Sequence, residues 1–342
     1  MEFLAGGRAE VRITHADVGK RVSVRRLTGG GSGEPAFTDA VGVLTSWTDG
    51  VLSITRRGGE CVRIEESSLV AGKVVPAAPA RRRGPAATVR ELQEVAARSW
   101  PALETERLGQ WTLRASEGFT RRANSVLALG DPGVPLTEAL GRVARWYAAR
   151  GLPALLTVPT GGGSDEGPGA ELAAGLAARG WTDEAHTTVR TAPLAPLADA
   201  AADTARVLLS REPDAGWLSL YHRTGAAPSA AARAVLTGGP SVWFARVPAP
   251  DGTPAAIGRL AVDGRWAGFS AVETAPERRR GGLATLVMAA LAGQALAEGA
   301  SAAYLQVEAD NAGALALYGR LGFTEHHGYH YRRGPGPGAA GA

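Results

Sequence analysis

The chain has 342 residues, 45% of them apolar and 20% charged, with a formal net charge of +4. The length accommodates two or three domains of ~100–200 residues, and the composition is that of a folded, water-soluble protein. The single cysteine, Cys61, excludes an internal disulfide and a cysteine-based metal cluster. No apolar run reaches the ~18 residues of a membrane-spanning helix and the first ten residues lack an apolar signal core, so the expected location is cytoplasmic.

The charge excess lies entirely in residues 1–83, which hold 13 basic and 9 acidic side chains. Within residues 1–76, short alternating runs occur at Val11–Ile13, Val22–Val24, Val41–Leu44, Val51–Ile54 and Val62–Ile64. Turn signals separate them at Gly29–Gly33, Asp49-Gly50 and Gly58-Gly59. This pattern predicts a small SH3-like β-barrel, with a hairpin at Asp49-Gly50. Arg25, Arg26, Arg56, Arg57 and an exposed Trp47 would make a docking face for nucleic acid or protein. So small an excess is weak for a polyanion, so the expectation is a solvated barrel with Trp47 in its core and no nucleic-acid partner. Residues 77–87, rich in proline and carrying Arg81–Arg83, predict a linker.

Residues 88–197 predict a second unit. Helical spacing marks 89–97, Leu136–Arg150 and Leu172–Arg179; strands are expected at Trp111–Arg114, Ser125–Leu129, Ala154–Val158 and Thr187–Arg190. The glycine-rich stretch Thr160–Gly169 lacks the Gly-Lys-Ser/Thr ending of a P-loop and reads as a loop. The turn Gly118-x-x-Arg121-Arg122-x-Asn124-Ser125 has the donors to hold a carboxylate, and a charged surface turn accounts for it equally well. Residues 198–334 predict a third unit, opened by a strand at Ala205–Leu209. Helical segments follow at Trp217–Arg223 and Ala230–Leu236, then strands at Ser241–Val247 and Ala256–Val262. His326, His327 and His330 lack ligand spacing with any carboxylate, so no metal site is expected. Residues 335–342 predict a disordered tail.

The second and third units echo each other. Ala173–Val189 and Leu317–Tyr331 both run helix, small-residue turn, Gly-aromatic-Thr, acid, His, strand, which predicts tandem halves.

The most informative stretch is Val272–Phe323. A strand at Gly268–Thr274 closes at Pro276. Arg278, Arg279, Arg280, Gly281 and Gly282 follow, and a helix begins at Leu283 and Ala284. Such a turn offers free backbone N–H groups beside the positive end of a helix dipole, which favours an anion, and the two glycines let a phosphate approach. The plain alternative is a strand–helix connection with solvated arginines. Next, a strand at Ala303–Val307 places Tyr304, Gln306 and Glu308 on one face. Asp310 or Asn311 caps a following helix that ends at Gly322-Phe323. Asn311 and Tyr318, seven residues apart, share a helix face. A phenol there can protonate a leaving group, or it can simply pack the helix.

These two segments together resemble the GNAT superfamily of acyl-CoA-dependent N-acetyltransferases. Arg279, Gly282 and Ala284 match its pyrophosphate loop, with Pro276 three residues earlier; Asn311, Ala314, Tyr318, Gly322 and Phe323 match its later signature. The resemblance implies an α/β (α+β) fold with a mixed central sheet and tandem GNAT-like halves, the first degenerate. It implies acetyl-CoA as acetyl donor, no metal, and a small-molecule amine as acceptor. Pantetheine would pair with the backbone of Val272, Glu273 and Thr274. The pyrophosphate would rest on Arg279, Arg280, Gly281, Gly282, Leu283 and Ala284. Asn311 would contact the cofactor, and Tyr318 would protonate the departing thiolate. Some relatives carry a glutamate base where this chain has Gln306, so Glu273, Glu308 or a water-mediated group becomes the candidate base. Trp217, Tyr221, His222 and Arg223 are substrate-side candidates, joined by Arg121, Arg122 and Asn124 of the degenerate half. The whole chain looks like an actinobacterial acetyltransferase family associated with N-acetylglutamate synthesis, which puts L-glutamate first among acceptors. The tandem arrangement is also similar to mycothiol synthase, and a protein or antibiotic amine is a further option. The missing base at Gln306 keeps alive a different class, an acetyl-CoA-binding docking protein without catalysis.

Overall fold

The computed structural model describes residues 11–28, 36–56, 60–75, 85–161, 168–201, 203–224 and 228–336. The expected turns at Gly29–Gly33 and Gly58-Gly59, Arg57, most of the linker with Arg81–Arg83, the middle of the Thr160–Gly169 loop and most of the tail lie outside them. The chain divides into two compact units, residues 1–83 and 84–342.

In the first unit, β1 (Arg21–Thr28), β2 (Ala36–Thr48), β3 (Val51–Thr55), β4 (Cys61–Glu65) and β5 (Leu69–Val74) form an antiparallel sheet in the order β4-β3-β2-β1-β5. Alternation delivers Val22, Val24, Leu44, Leu52, Ile54 and Ile64 to one core. Asp49 and Gly50 both have positive φ, 51° and 74°, as a two-residue hairpin turn requires. Trp47 is buried, stacks on His15 and donates its indole N–H to Glu66, so it belongs to the core rather than to a docking face. Val11–Ile13 is not a strand; only an isolated bridge joins Val11 to Gly72. The fifth strand is Leu69–Val74, whose interrupted alternation hid it.

The second unit begins with α1 (Val89–Ser99), capped by the Thr88 hydroxyl accepting from the Glu91 N–H. Its first half continues through β6 (Glu104–Leu108), β7 (Trp111–Ala115), β8 (Val126–Leu127), α2 (Leu136–Ala148), β9 (Leu155–Thr160), α3 (Pro168–Ala177) and β10 (Thr182–Pro193). The second half follows with α4 (Ala195–Ala198), β11 (Leu208–Ser210), α5 (Ala215–Leu220), α6 (Ala230–Thr237), β12 (Ser241–Pro248), β13 (Pro254–Asp263), β14 (Trp266–Thr274), α7 (Leu283–Ala297), β15 (Ala302–Glu308), α8 (Ala312–Arg320) and β16 (Thr324–Arg333).

All these strands join one mixed, eleven-stranded sheet in the order β11-β12-β13-β14-β15-β10-β16-β9-β8-β7-β6. The order carries a strand exchange. β10, the last strand of the first half, pairs with β15 of the second, and β16, the last strand of the second half, pairs with β9 of the first. The expected boundary at residues 197 and 198 therefore does not separate two bodies, because each half lends its final strand to the other. α7 is apolar all round and packs against β12, β13 and β14. Other elements also depart from expectation. β6 was missed because four of its five residues are exposed. The strand expected at Ser125–Leu129 keeps only two residues, and that at Ala205 begins at Leu208. The helix expected at Trp217–Arg223 ends at Leu220, with a 3₁₀ turn at His222–Thr224. Among the described residues no helix is long and apolar enough to cross a membrane.

Candidate active site

β14 and β15 run parallel and pair from Trp266–Ala302 to Phe269–Leu305, where the pairing stops. Beyond that point Ser270–Thr274 and Gln306–Glu308 separate. Two features of β14 accompany the separation. Ala271 takes a positive φ of 50°, and the ladder to β13 shifts register between Ile257 and Arg259, a bulge that re-aims the strand. Gly258 lies opposite this bulge; a side chain there would collide with Val287 and Leu291 of α7. The opening between the strands is a cavity of about 220 Å³. Its walls are Ser270–Glu273, Gln306–Glu308, Asn311, Ala314 and Tyr318 from the second half, with Thr120–Arg122, Thr187, Tyr221–Arg223, Tyr329 and Tyr331 around them.

Most of the expected side chains meet at this cavity. Tyr318 sits on α8, edge-on to Phe323 at 5.9 Å between ring centres. Burial pushes its phenol up to about 12, so it holds its proton at neutral pH. Asn311, rather than Asp310, caps α8; its Oδ1 accepts from the Ala314 N–H at 3.0 Å. Glu273 lines the cavity and engages His222 twice: Oε1 lies 2.6 Å from His222 Nδ1, and Oε2 accepts the His222 backbone N–H at 3.2 Å. The Glu273 side chain is 18% exposed and the imidazole 66%. A carboxylate against Nδ1 holds a proton there and leaves Nε2 as the ring's acceptor. Glu308 is exposed and pairs with Arg223 at 3.5 Å. Gln306 accepts from the Tyr329 hydroxyl at 2.6 Å. Tyr221 lines the cavity, its phenol raised to about 12 by burial.

Trp217 and Asn124 do not line the cavity. Trp217 is 1% exposed, packs on Phe244 and donates its indole N–H to the Gly258 carbonyl, so it is core. Asn124 knits the turn that carries Arg121 and Arg122: Oδ1 accepts from Ser116 and Gly118 N–H, and Nδ2 donates to the Phe119 and Thr120 carbonyls. Arg121 pairs with Glu184 at 3.1 Å. Arg333, and then Arg121, hold that carboxyl below the usual range.

The arginine–glycine turn lies between β14 and α7. Arg280 and Gly282 take positive φ, 64° and 76°, on either side of Gly281. Gly282 is the N-cap of α7 without a side-chain cap, and the first turn holds no acidic residue. A Cβ at Gly282 would meet no atom within 4 Å, so the helix terminus faces open space. A cavity of about 340 Å³ adjoins it, lined by Arg206, Arg278, Arg279, Gly281 and Leu283, with one carboxylate, Glu277. These groups suit a nucleotide's phosphates. Arg206 was not anticipated, because a lone arginine in a segment read as strand carries no signal. Tyr329 and Tyr331 were missed for a related reason: the exchange that brings β16 to the cavity is not local. The expectation that His330 has no carboxylate near it is corrected, because the bulge in β10 brings Asp183 and His186 to it, with ligand atoms within 4.8 Å of one another. Arg332 Nε donates to His330 Nε2 at 3.1 Å, so a guanidinium already engages that nitrogen.

Comparison with known proteins agrees with this geometry. Residues 86–332 match the family model described as "Probable histone acetyltransferase Rv0428c C-terminal", and residues 16–73 match "Rv0428c N-terminal Sm-like domain". The chain belongs to the Rv0428c family. The small antiparallel β domain is accordingly described as Sm-like. A Mycobacterium tuberculosis relative named "Probable histone acetyltransferase Rv0428c" is 32% identical over 329 residues, covering 93% of this chain and 96% of its own. The "Uncharacterized N-acetyltransferase YobR" of Bacillus subtilis is 28% identical over 255 residues, covering 71% and 98%. A GCN5-related N-acetyltransferase structure from Kribbella flavida aligns with a TM-score of 0.51 at 18% identity, over 73% of this chain and 96% of that one, which shows the shared fold. This chain thus contains an Sm-like domain and tandem GNAT-like halves, and it is an acetyltransferase of the GNAT type.

Proposed function

We propose that the second half binds acetyl-CoA and transfers its acetyl group directly to a primary amine, with L-glutamate first among acceptors. The observation that carries this reading is the parting of β14 from β15 between Tyr318 at one side and the open arginine–glycine turn at the other. Bound acetyl-CoA supplies an activated thioester; the rest is done by the chain. The free edge of Ser270–Thr274 offers backbone groups to the pantetheine arm, and Gly281–Ala284 with Arg278, Arg279 and Arg206 holds the phosphates. The acceptor arrives as an ammonium ion and must lose a proton. His222 Nε2, oriented by Glu273, takes it. The amine nitrogen attacks the thioester carbonyl, backbone N–H groups of the parted strands stabilise the oxygen's developing charge, and the C–S bond breaks. Tyr318 gives its proton to the leaving sulfur and is reprotonated by the second proton that the acylated nitrogen sheds. The products are an N-acetyl amine and the free thiol.

Glutamate ranks first because of the resemblance to the N-acetylglutamate-synthesising family. A protein lysine is the second reading, favoured by the name of the Mycobacterium tuberculosis relative. The test is thiol release from acetyl-CoA with glutamate, other amino acids, glucosamine-linked cysteine, aminoglycosides and lysine peptides. Rapid release with glutamate supports the first reading, and release with lysine peptides alone supports the second. Acetyl-CoA binding without release from any amine leaves a non-catalytic docking protein as the answer.

A further inference from the structure

Arg114, Arg122 and Arg259 gather where the first half meets the cavity. Two of them are held by the fold's own acceptors. Arg114 donates Nε to the Ser125 carbonyl at 2.9 Å and Nη2 to the Ser125 hydroxyl at 3.1 Å. Arg259 donates to the carbonyls of Leu236, Ser99 and Gly238 at 2.6, 2.9 and 2.7 Å. Arg122 has no carbonyl set of this kind; its hydrogen-bond partner is the neutral side chain of Tyr329. Its Nε is sealed from solvent without a hydrogen-bond partner. Its guanidinium lies 5.5 Å from the centre of the Trp100 ring, the same indole over which Arg259 lies at 4.8 Å. Two guanidinium groups therefore share one indole. Burial lowers the pKa of both Arg114 and Arg259, and the charge of Arg122 is a smaller cause acting the same way on each.

The ion pairs run opposite to the usual pattern. The exposed arginines of the cavity are paired, Arg121 with Glu184 and Arg223 with Glu308. Among the described residues, no carboxylate is within ion-pair distance of Arg114, Arg122 or Arg259. Burial works against the charge of Arg122, but Tyr329, Tyr331 and Tyr221 outweigh it, Tyr329 also by a hydrogen bond, so the guanidinium stays charged among phenols rather than carboxylates. A charged guanidinium that borders a cavity with no carboxylate beside it is open to an anion. Arg122 is also the one of the three that lines the cavity between β14 and β15.

We infer that Arg122 is the recognition point for an anionic group of the acceptor, a carboxylate, so that the acceptors of this protein are small amines that also carry an acid. The position of Arg122 on the turn knitted by Asn124 gives the degenerate first half a function of its own, which is to hold the acceptor by its negative end while binding no acetyl-CoA. This inference rests on the acetyl-transfer reading for the identity of the acceptor, but not for the existence of the anion site.

The test uses the full-length chain and Arg122→Met, which keeps an unbranched apolar stem and removes the guanidinium. In wild type, kcat/KM for glutamate should exceed that for its diamide, glutamine α-amide, by ~10–100-fold, the range of a charge-assisted hydrogen bond. In the variant that ratio should fall towards one, through the acceptor KM, with the KM for acetyl-CoA unchanged. A second arm needs no catalysis: glutarate, which has no amine, should raise the melting temperature of wild type and not of Arg122→Met. Equal use of acid and amide by wild type, a preference kept by the variant, or glutarate stabilising both proteins alike overturns the inference. Failure of all acetyl transfer with the glutarate response intact would refute the reaction and leave the anion site standing.

Discussion

The two halves of the large unit share one plan and differ at three places. In the second half, β14 continues past its parallel pairing with β15 and leaves a free edge; in the first, β8 has two residues, both paired with β9. In the second half the helix after that strand starts at an uncapped Gly282 with no acid in its first turn. In the first, α2 starts after Pro135 and carries Glu138 in its first turn, which already answers the helix dipole. Aligning Gly180-Trp181 with Gly322-Phe323 puts Leu176 where Tyr318 stands, and Leu176 is fully buried. On the proposed reading, an acyl-CoA site in this fold takes a strand with an unpaired edge, a helix terminus without a competing carboxylate, and one proton donor. A duplicate that loses all three still keeps its sheet and its core.

Altering the features that separate the halves should have graded effects. Tyr318→Phe should lower kcat by ~100-fold or more, the lower end of the range for general acid catalysis, with acetyl-CoA affinity nearly unchanged by titration calorimetry. Because burial raises this phenol to about 12, wild-type activity should not decline through Tyr318 ionisation until the pH nears that value. Glu273→Gln should lower kcat/KM by about 10-fold or more through the loss of a positioned base, measured as thiol release; an unchanged pH profile would remove the His222–Glu273 pair from the mechanism. Arg279→Ala should weaken acetyl-CoA binding by roughly 10-fold. Asp131→Ala, at the matching turn of the first half, should leave it unchanged.

The smallest expected effect concerns the exchanged strands. His327 on β16 is buried against Gln93 of α1, and burial first, then His326, lowers its pKa to about 3. The unfolded chain has an ordinary histidine near 6.5. Between those values the unfolded state binds more protons, so stability falls as the pH drops from about 6.5 towards 3, by at most roughly 1.4 kcal/mol per pH unit. Denaturant titrations at pH 7 and 5 should show the loss, and His327→Gln should reduce it.

Sequence alone revealed the parts of the site that are local. The helix from Asn311 to Phe323 carries its own cap, period and glycine stop, and the arginine–glycine turn is defined by adjacent residues. Those signals identified the fold class and placed Tyr318 beside the cleft. What stayed hidden depends on pairing between distant segments. The exchange of β10 and β16 brings Tyr329 and Tyr331 to the cavity and Asp183 to His330, and neither strand differs in composition from an ordinary last strand. Trp217 looked like a pocket residue because an aromatic on a short helix has no visible inside or outside until β13 supplies the Gly258 carbonyl. Arg122 looked like its exposed neighbour Arg121, and only the packing of Trp100 separates the two.

The central claim is a division of labour, with donor bound by the second half and acceptor by the first. Steady-state thiol-release kinetics on wild type, Arg279→Ala and Arg122→Met, with glutamate and acetyl-CoA each varied, tests it most directly. Arg279→Ala should raise the KM for acetyl-CoA alone, and Arg122→Met should raise the KM for glutamate alone. If Arg122→Met weakens acetyl-CoA while glutamate is unaffected, the first half is part of the donor site and the division is wrong.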